Sequence, residues 1–145
     1  MFDDLKDVDD REREIFDLPK NFSQESVRVI RLAFIETSQH SHPSVELVHI
    51  LLGLARESSS PTIEHLLHTE TVNLLSLRAA LKGLKPRGPG YSLHIILDRP
   101  TQALIEKLGK YEDELVEPID ILKELINWQD ELVMQLLNKV GFVES

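Results

Sequence analysis

The chain has no cysteine among its 145 residues. That excludes disulfides, thiolate zinc sites and thiol nucleophiles, and it suits a reducing compartment. Long apolar runs are missing too. Arg, Glu or His interrupts every stretch before the roughly 18 residues of a membrane span, so no membrane association is expected. The N-terminus is acidic and forms neither a secretory signal nor a transit peptide. These absences point to the cytoplasm, or to an organelle stroma for the mature form of an imported protein. Positive charge is scarce: 16 Lys and Arg stand against 25 Asp and Glu, for a formal net charge of -9. Without a clustered basic stripe the chain is a poor nucleic-acid binder, because phosphate contacts need positive charge. Catalytic signatures are equally thin. No G-x-S-x-G elbow occurs. The one Walker-like fragment, Gly83 to Gly88, continues Pro89-Gly90 where a phosphate loop needs Lys and then Ser or Thr.

What is present suffices for one domain, since 41% hydrophobic residues support a core. Residues 1–20 read as an acidic N-terminal arm, solvated and disordered or weakly helical. The other reading is a docking or autoinhibitory arm that covers a groove, anchored by Phe2, Leu5, Ile15, Phe16 and Leu18. Residues 21–145 read as all-α. Ser23 caps a helix to about Gln39, with Val27, Ile30, Phe34 and Ile35 on its buried face. Pro43 breaks it. Ser44 then caps a second helix, with Glu46 in its first turn and Leu47, Ile50, Leu51 and Leu54 as its stripe. Ser60-Pro61 opens a short third helix holding Ile63, Leu66 and Leu67, and Asn73 caps a fourth holding Leu74, Leu77, Leu81 and Leu84. "KPRGPG" is a linker. Tyr91, Leu93, Ile95 and Leu97 alternate as extended chain, read as a packed connector because no partner strand is in view. A fifth helix runs from Asp98 to about Lys110. Pro118 opens a sixth, with Ile119, Leu122, Leu125 and Ile126 buried. A seventh carries Leu132, Val133, Leu136, Leu137 and Val140 and stops at Gly141.

A shift of 71 positions lays Glu46 on Glu117, Ile50 on Ile121, Leu51 on Leu122 and Leu54 on Leu125. A shift of 70 lays Leu66 on Leu136 and Leu67 on Leu137. Matches in one order with one small gap indicate a tandem helical repeat. Repeat one is 21–84, the linker 85–96 and repeat two 97–145. The first unit has four helices and the second is truncated after three. That truncation is expected to expose apolar surface and invite a partner, a dimer through the second repeat included.

The same residues carry a resemblance. "FSQESVRVIRLAFIETSQHSHPSVELVHILLGLARES" resembles the N-terminal domain of Clp ATPases, the unfolding motors of bacterial and organellar proteolysis. The shared features are Phe22-Ser23 at a helix start, Ser41-His42 before a loop, and "HILLGL" from His49 to Leu54. "TVNLLSLRAAL" resembles that family's fourth helix. The likeness runs from about Phe22 to Ser145 and is more specific in the first repeat. It implies a double four-helix, pseudo-twofold domain that binds peptides, adaptors and substrates and performs no chemistry. By position it implies a groove at the starts of the first and fifth helices, involving Phe22, Ser23, Leu97, Asp98, Gln102 and Glu106. Glu46 and Glu117 join this set from their matching places in the two repeats. Relatives that read phosphorylated arginine carry Glu before the "HILLGL" histidine. Val48 and Ile119 stand there, and neither supplies the bidentate carboxylate a guanidinium needs. The second repeat also has Glu124 where the first has Gly53.

Three functions follow as expectations. The first is a non-enzymatic protein- or peptide-binding module of a Clp-type chaperone-protease system, acting as adaptor, accessory subunit or substrate-recognition domain. Its partners would be a Clp ATPase, its adaptors or substrate peptides. The second is the excised N-terminal domain of a full-length Clp ATPase. The third is a metal- or carboxylate-dependent enzyme on a helical scaffold. For that reading His40 and His42, then His65 and His68, are the metal candidates, but a zinc site takes three or four ligands. They read instead as loop and helix-end histidines, and His49 as a core histidine bonded to backbone. Glu112, Asp113 and Glu114 are consecutive and splay, unlike a carboxylate pair held in a cleft. Trp128 and Phe142 read as packing residues. No catalytic residue, metal or cofactor is assigned.

Overall fold

The computed structural model describes residues 3–57, 60–88, 94–110 and 113–142. Phe2, Tyr91, Leu93 and Glu112 lie outside them. The described residues form eight helices and one two-stranded parallel sheet. A helix α1 (Asp3–Ile15) precedes α2 (Gln24–Gln39), and strand β1 (Ser44–Val45) leads into α3 (Leu47–Arg56). Then come α4 (Pro61–Leu67), α5 (Leu74–Leu84), strand β2 (Ile96–Leu97), α6 (Arg99–Gly109), α7 (Pro118–Trp128) and α8 (Glu131–Lys139). Most boundaries are chemical. Ser23, Ser60, Asn73, Asp98 and Asp130 each accept a backbone N–H at their helix start. Gly141 (φ 78°) lets Phe142 N–H return to the Leu137 carbonyl after α8.

Helix α3 is the centre of the molecule. Every residue from Leu47 to Ala55 is buried, so the single stripe expected from periodicity is corrected to burial all round. It packs against α2, α4, α5, α6, α7 and α8. Gly53 makes the α2 contact close: a Cβ there would lie 2.4 Å from the Val29 carbonyl oxygen. On α2 the core residues are Val27, Val29, Ile30 and Ala33. Ile35, expected inside, faces outward, and Phe34 is half-buried beneath Phe16. Similarly Ile119 and Ile126 of α7 are only partly covered, and Ile121 takes the buried place.

Two readings of the chain are overturned here. Ser44 is not a helix cap; it pairs with Ile96, and Val45 with Leu97, as parallel strands. The end of the extended connector, Ile96–Leu97, is therefore a strand, and its partner lies too far away in sequence for local pattern to reveal it. Helix α3 starts two residues later than a Ser44 cap implies, behind Glu46 as its N-cap. The acidic arm is not a solvated tail over its described length. It is helical and docks on α2, where Asp9 is fully buried between Arg28 (3.0 Å) and Arg31 (3.3 Å). Glu12 also reaches Arg31, at 2.6 Å. Cations on α2 offset the acidic run that reads as solvated in sequence.

Backbone contacts tie the earlier and later parts of the chain together at two places, the β1–β2 pair and a bridge between Phe22 and Val116. Ser23 N–H donates to the Val116 carbonyl (3.0 Å), and Asp98 N–H donates to the Val45 carbonyl (3.0 Å). Ser23 and Asp98 are both helix caps, and Val45 and Val116 both precede the glutamate that opens α3 or α7. A twofold relation between the halves would produce this pair of contacts. Glu46 and Glu117 are equivalent in the same sense: each backbone N–H is held by a side chain three residues on, His49 or Asp120.

Candidate functional site

The sequence places apolar residues at the end of α1, on the outer face of α2, and around the start of α6. Folding brings them together around a groove of about 450 Å³. Ile15, Phe16 and Asp17 form one wall, with Phe34 at the base. Ile96 and Leu97 enter from β2 with Ile95 just before it, and Gln102, Ile105 and Glu106 from α6. The α1 wall is fixed in place. Phe16 stacks on Phe34 with ring centroids 4.6 Å apart. The Arg13 guanidinium donates to the carbonyls of Pro19 (3.1 Å) and Phe22 (2.6 Å), and Leu18 is buried. Across the groove, Gln102 Nε2 donates to the Leu97 carbonyl at 2.8 Å and ties α6 to the strand.

Two features make this groove adhesive. Ile15 and Ile96 are 73% and 64% exposed, so they present apolar surface that water does not favour. Asp17 and Glu106 line the same cleft, and neither has an ion-pair partner among the described residues. An apolar floor with free carboxylates suits a peptide that offers an apolar side chain close to a cationic one. Strand β2 is paired with β1 alone among the described residues, so its backbone is a second means of holding an extended chain.

Of the residues expected at a groove, Leu97, Gln102 and Glu106 meet here. Phe22 and Ser23 do not. Phe22 is 1% exposed and bridges to Val116, and Ser23 is a buried cap. Asp98 caps α6 through Thr101 N–H (2.9 Å) beside the groove without lining it. Glu46 pairs with Lys85 at 2.5 Å, and Glu117 opens α7; both serve helix starts away from the groove. The residues missed were Asp17, Phe34, Ile95, Ile96 and Ile105. Ile95 and the apolar end of the arm were visible as apolar positions, but their common destination was not.

The histidines form a separate buried array. Glu46 N–H donates to His49 Nδ1 (2.8 Å), which leaves the His49 proton on Nε2. That proton is donated to His42 Nδ1 (2.8 Å), and His42 Nε2–H reaches the Pro86 carbonyl (3.3 Å). Burial lowers the pKa of both rings, that of His49 to about 3. The core reading of His49 therefore describes its place and its backbone bond. Of the other candidates, His68 Nε2 meets the Ala55 carbonyl (2.6 Å) and His65 is exposed. No group of three or more His, Asp or Glu among the described residues is placed to hold a metal ion. Gly83 lies inside α5 and not in a phosphate-binding loop.

No known family matches the sequence. No curated protein matches it either. A solved structure does: the N-terminal domain of the caseinolytic protease associated chaperone ClpD from Arabidopsis thaliana is similar in fold. The TM-score is 0.70 at 19% identity, over 86% of this chain and 89% of that chain. The chain thus has the Clp N-terminal-domain fold expected from the "HILLGL" segment. No helix among the described residues is long and apolar enough to cross a membrane.

Proposed function

We propose, starting from the Clp N-terminal-domain fold, that this protein is a non-enzymatic module of a Clp-type chaperone-protease system. It recognises peptides or protein partners as an adaptor, accessory subunit or substrate-recognition domain. Its partners are a Clp ATPase, that ATPase's adaptors or their substrate peptides, in the cytoplasm or an organelle stroma. The carrying observation is the groove, where exposed Ile15 and Ile96 stand beside the carboxylates of Asp17 and Glu106, which have no ion-pair partner among the described residues. A second reading has one observation in its favour. The matched structure is itself the N-terminal domain of a protease-associated chaperone and is covered over 89% of its length. On that reading the same groove works at the front of a longer Clp ATPase, and a continuing reading frame with a phosphate loop would decide for it.

Binding of a fluorescent peptide with alternating Leu and Lys tests the groove directly. Saturable binding is expected with the intact chain, and its loss is expected with Ile96→Asp. Equal binding by both proteins would remove the groove from the proposal. A pull-down with the intact chain, using Ile96→Asp and Glu106→Ala together as control, tests the machinery. Phe22→Ala is unsuitable as a control because that ring is core. Recovery of a Clp motor by the intact chain alone would support membership of that system. Peptide binding without any Clp component would support the groove and refute the machinery.

A further inference from the structure

The scarce positive charge is not evenly spread. Arg78, Lys82 and Arg87 line one cavity of about 550 Å³ together with Gln39, His40 and Pro86. Its size falls in the range of small-molecule sites, about 300–1,000 Å³. Among the described residues it shares no lining residue with the peptide groove, and no carboxylate lines it. Helix α5 supplies Arg78 and Lys82 one turn apart, and the chain after α5 supplies Arg87. Among the described residues the cations keep free donors. Arg78 Nε and Nη2 donate to Glu36 at 2.7 and 2.8 Å, leaving Nη1. Arg56 donates to that same buried carboxylate, so the pair of guanidiniums outweighs its charge. Arg87 Nε donates to Ser41 Oγ (3.1 Å), which orients its guanidinium and leaves both terminal nitrogens. Lys82 has no ion pair among the described residues.

An independent observation points to a ligand. His40 lines the cavity and is only 7% exposed. Its Nδ1 lies 2.8 Å from the Glu36 carbonyl, which accepts, so the proton sits on Nδ1. The opposite nitrogen, Nε2, is buried with no hydrogen-bond partner. A buried polar atom without a partner is unfavourable, because it has given up its hydrogen bonds to water and gained none in return. A bare imidazole nitrogen needs a donor, and cations beside it need an anion. One ligand class supplies both in a single group: a phosphate that carries a proton.

We infer that this cavity is a binding site for a phosphate group, either inorganic phosphate or a phosphomonoester. The phosphoryl oxygens take the free donors of Arg78, Lys82 and Arg87, and the P–O–H donates to His40 Nε2. The inference does not depend on the peptide groove.

Isothermal titration of the intact chain with inorganic phosphate, O-phosphoserine and sulfate tests it. Saturable millimolar or tighter phosphate binding is expected. Sulfate, which has no proton to give at neutral pH, is expected to bind about tenfold more weakly, the loss of one charge-assisted hydrogen bond. Lys82→Gln with Arg87→Gln changes only exposed side chains, keeps the fold, and is expected to weaken phosphate binding at least about tenfold. Tighter binding of phosphoserine than of phosphate would place the group on an organic carrier, whereas parity would assign the free ion. Absence of saturation, undiminished binding by the double variant, or equal affinity for sulfate would overturn the site.

Discussion

At the scale of the residue, burial separates side chains that hold the fold from those that face a ligand. Phe22 looked like a groove residue but is core, so Phe22→Ala should lose about 3–5 kcal/mol in urea unfolding. Ile96→Asp should change stability by less than about 1 kcal/mol, because its side chain already faces water. Peptide binding should respond in the opposite order, and a binding titration beside the unfolding curves checks this. The histidine array makes a pH prediction. In the unfolded chain His42 and His49 titrate near 6.5, and folding lowers both, His49 to about 3. The unfolded state therefore takes up protons first as pH falls. Stability is full above about pH 6.5 and declines below it, by up to about 1.4 kcal/mol per pH unit for each ring. Urea midpoints measured from neutral pH to about pH 5 should fall, and His49→Leu should reduce the slope. A flat profile in the parent chain would refute this account.

At the scale of the element, a single position explains how differently the two helical pairs pack. Gly53 lets α3 lie against the α2 backbone. The 71-position shift lays Gly53 on Glu124, which reaches Lys107 of α6 at 2.5 Å, and Lys107 in turn sits 5.8 Å from the Trp128 ring centroid. The glycine gives a backbone contact between α2 and α3, and the glutamate a charged side-chain contact between α6 and α7. Gly53→Ala should therefore destabilise by about 1–3 kcal/mol through overpacking, although alanine is the better helix former. Leu51→Ala on the same fully buried helix should lose about 2–5 kcal/mol. Thermal or urea melts of both variants check these values. The arm makes the other prediction. Because the end of α1 and the turn after it supply Ile15, Phe16 and Asp17 to the groove wall, deleting residues 1–18 should weaken peptide binding. Stronger binding after deletion would restore an autoinhibitory arm.

At the scale of the whole molecule, the halves depend on one another. Helix α3 of the first unit is covered in part by α7 and α8 of the second, and the strand contacts run between units. A fragment of residues 21–84 would expose that face of α3, and the intact chain should melt in one transition. Circular dichroism of the fragment is expected to show little stable helix. A cooperatively folding fragment would show that each unit stands alone. The same interdependence creates the groove, since its walls come from α1 and α2 on one side and β2 and α6 on the other.

Local chemistry was enough to place most of the helices. Ser23, Ser60, Asn73 and Asp98 are caps because their side-chain oxygens reach the next turn, and such contacts lie within a few residues. The "HILLGL" core likewise announced the fold that the solved Clp domain shares. Other outcomes needed partners distant in sequence. Asp9 became buried because Arg28 and Arg31 lie on the next helix, and Ser44–Val45 became a strand because Ile96–Leu97 returns to it. Leu97 and Glu106 could be named from the sequence, but Ile15 and Phe34 joined them only when α1 docked. The basic cavity shows the same division. Arg78, Lys82 and Arg87 form no continuous basic run in sequence, and the turn after α5 brings them together beside His40. Caps and apolar periodicity are short-range and legible along the chain, whereas a groove, a buried ion pair and a charged cavity exist only between segments that folding brings together.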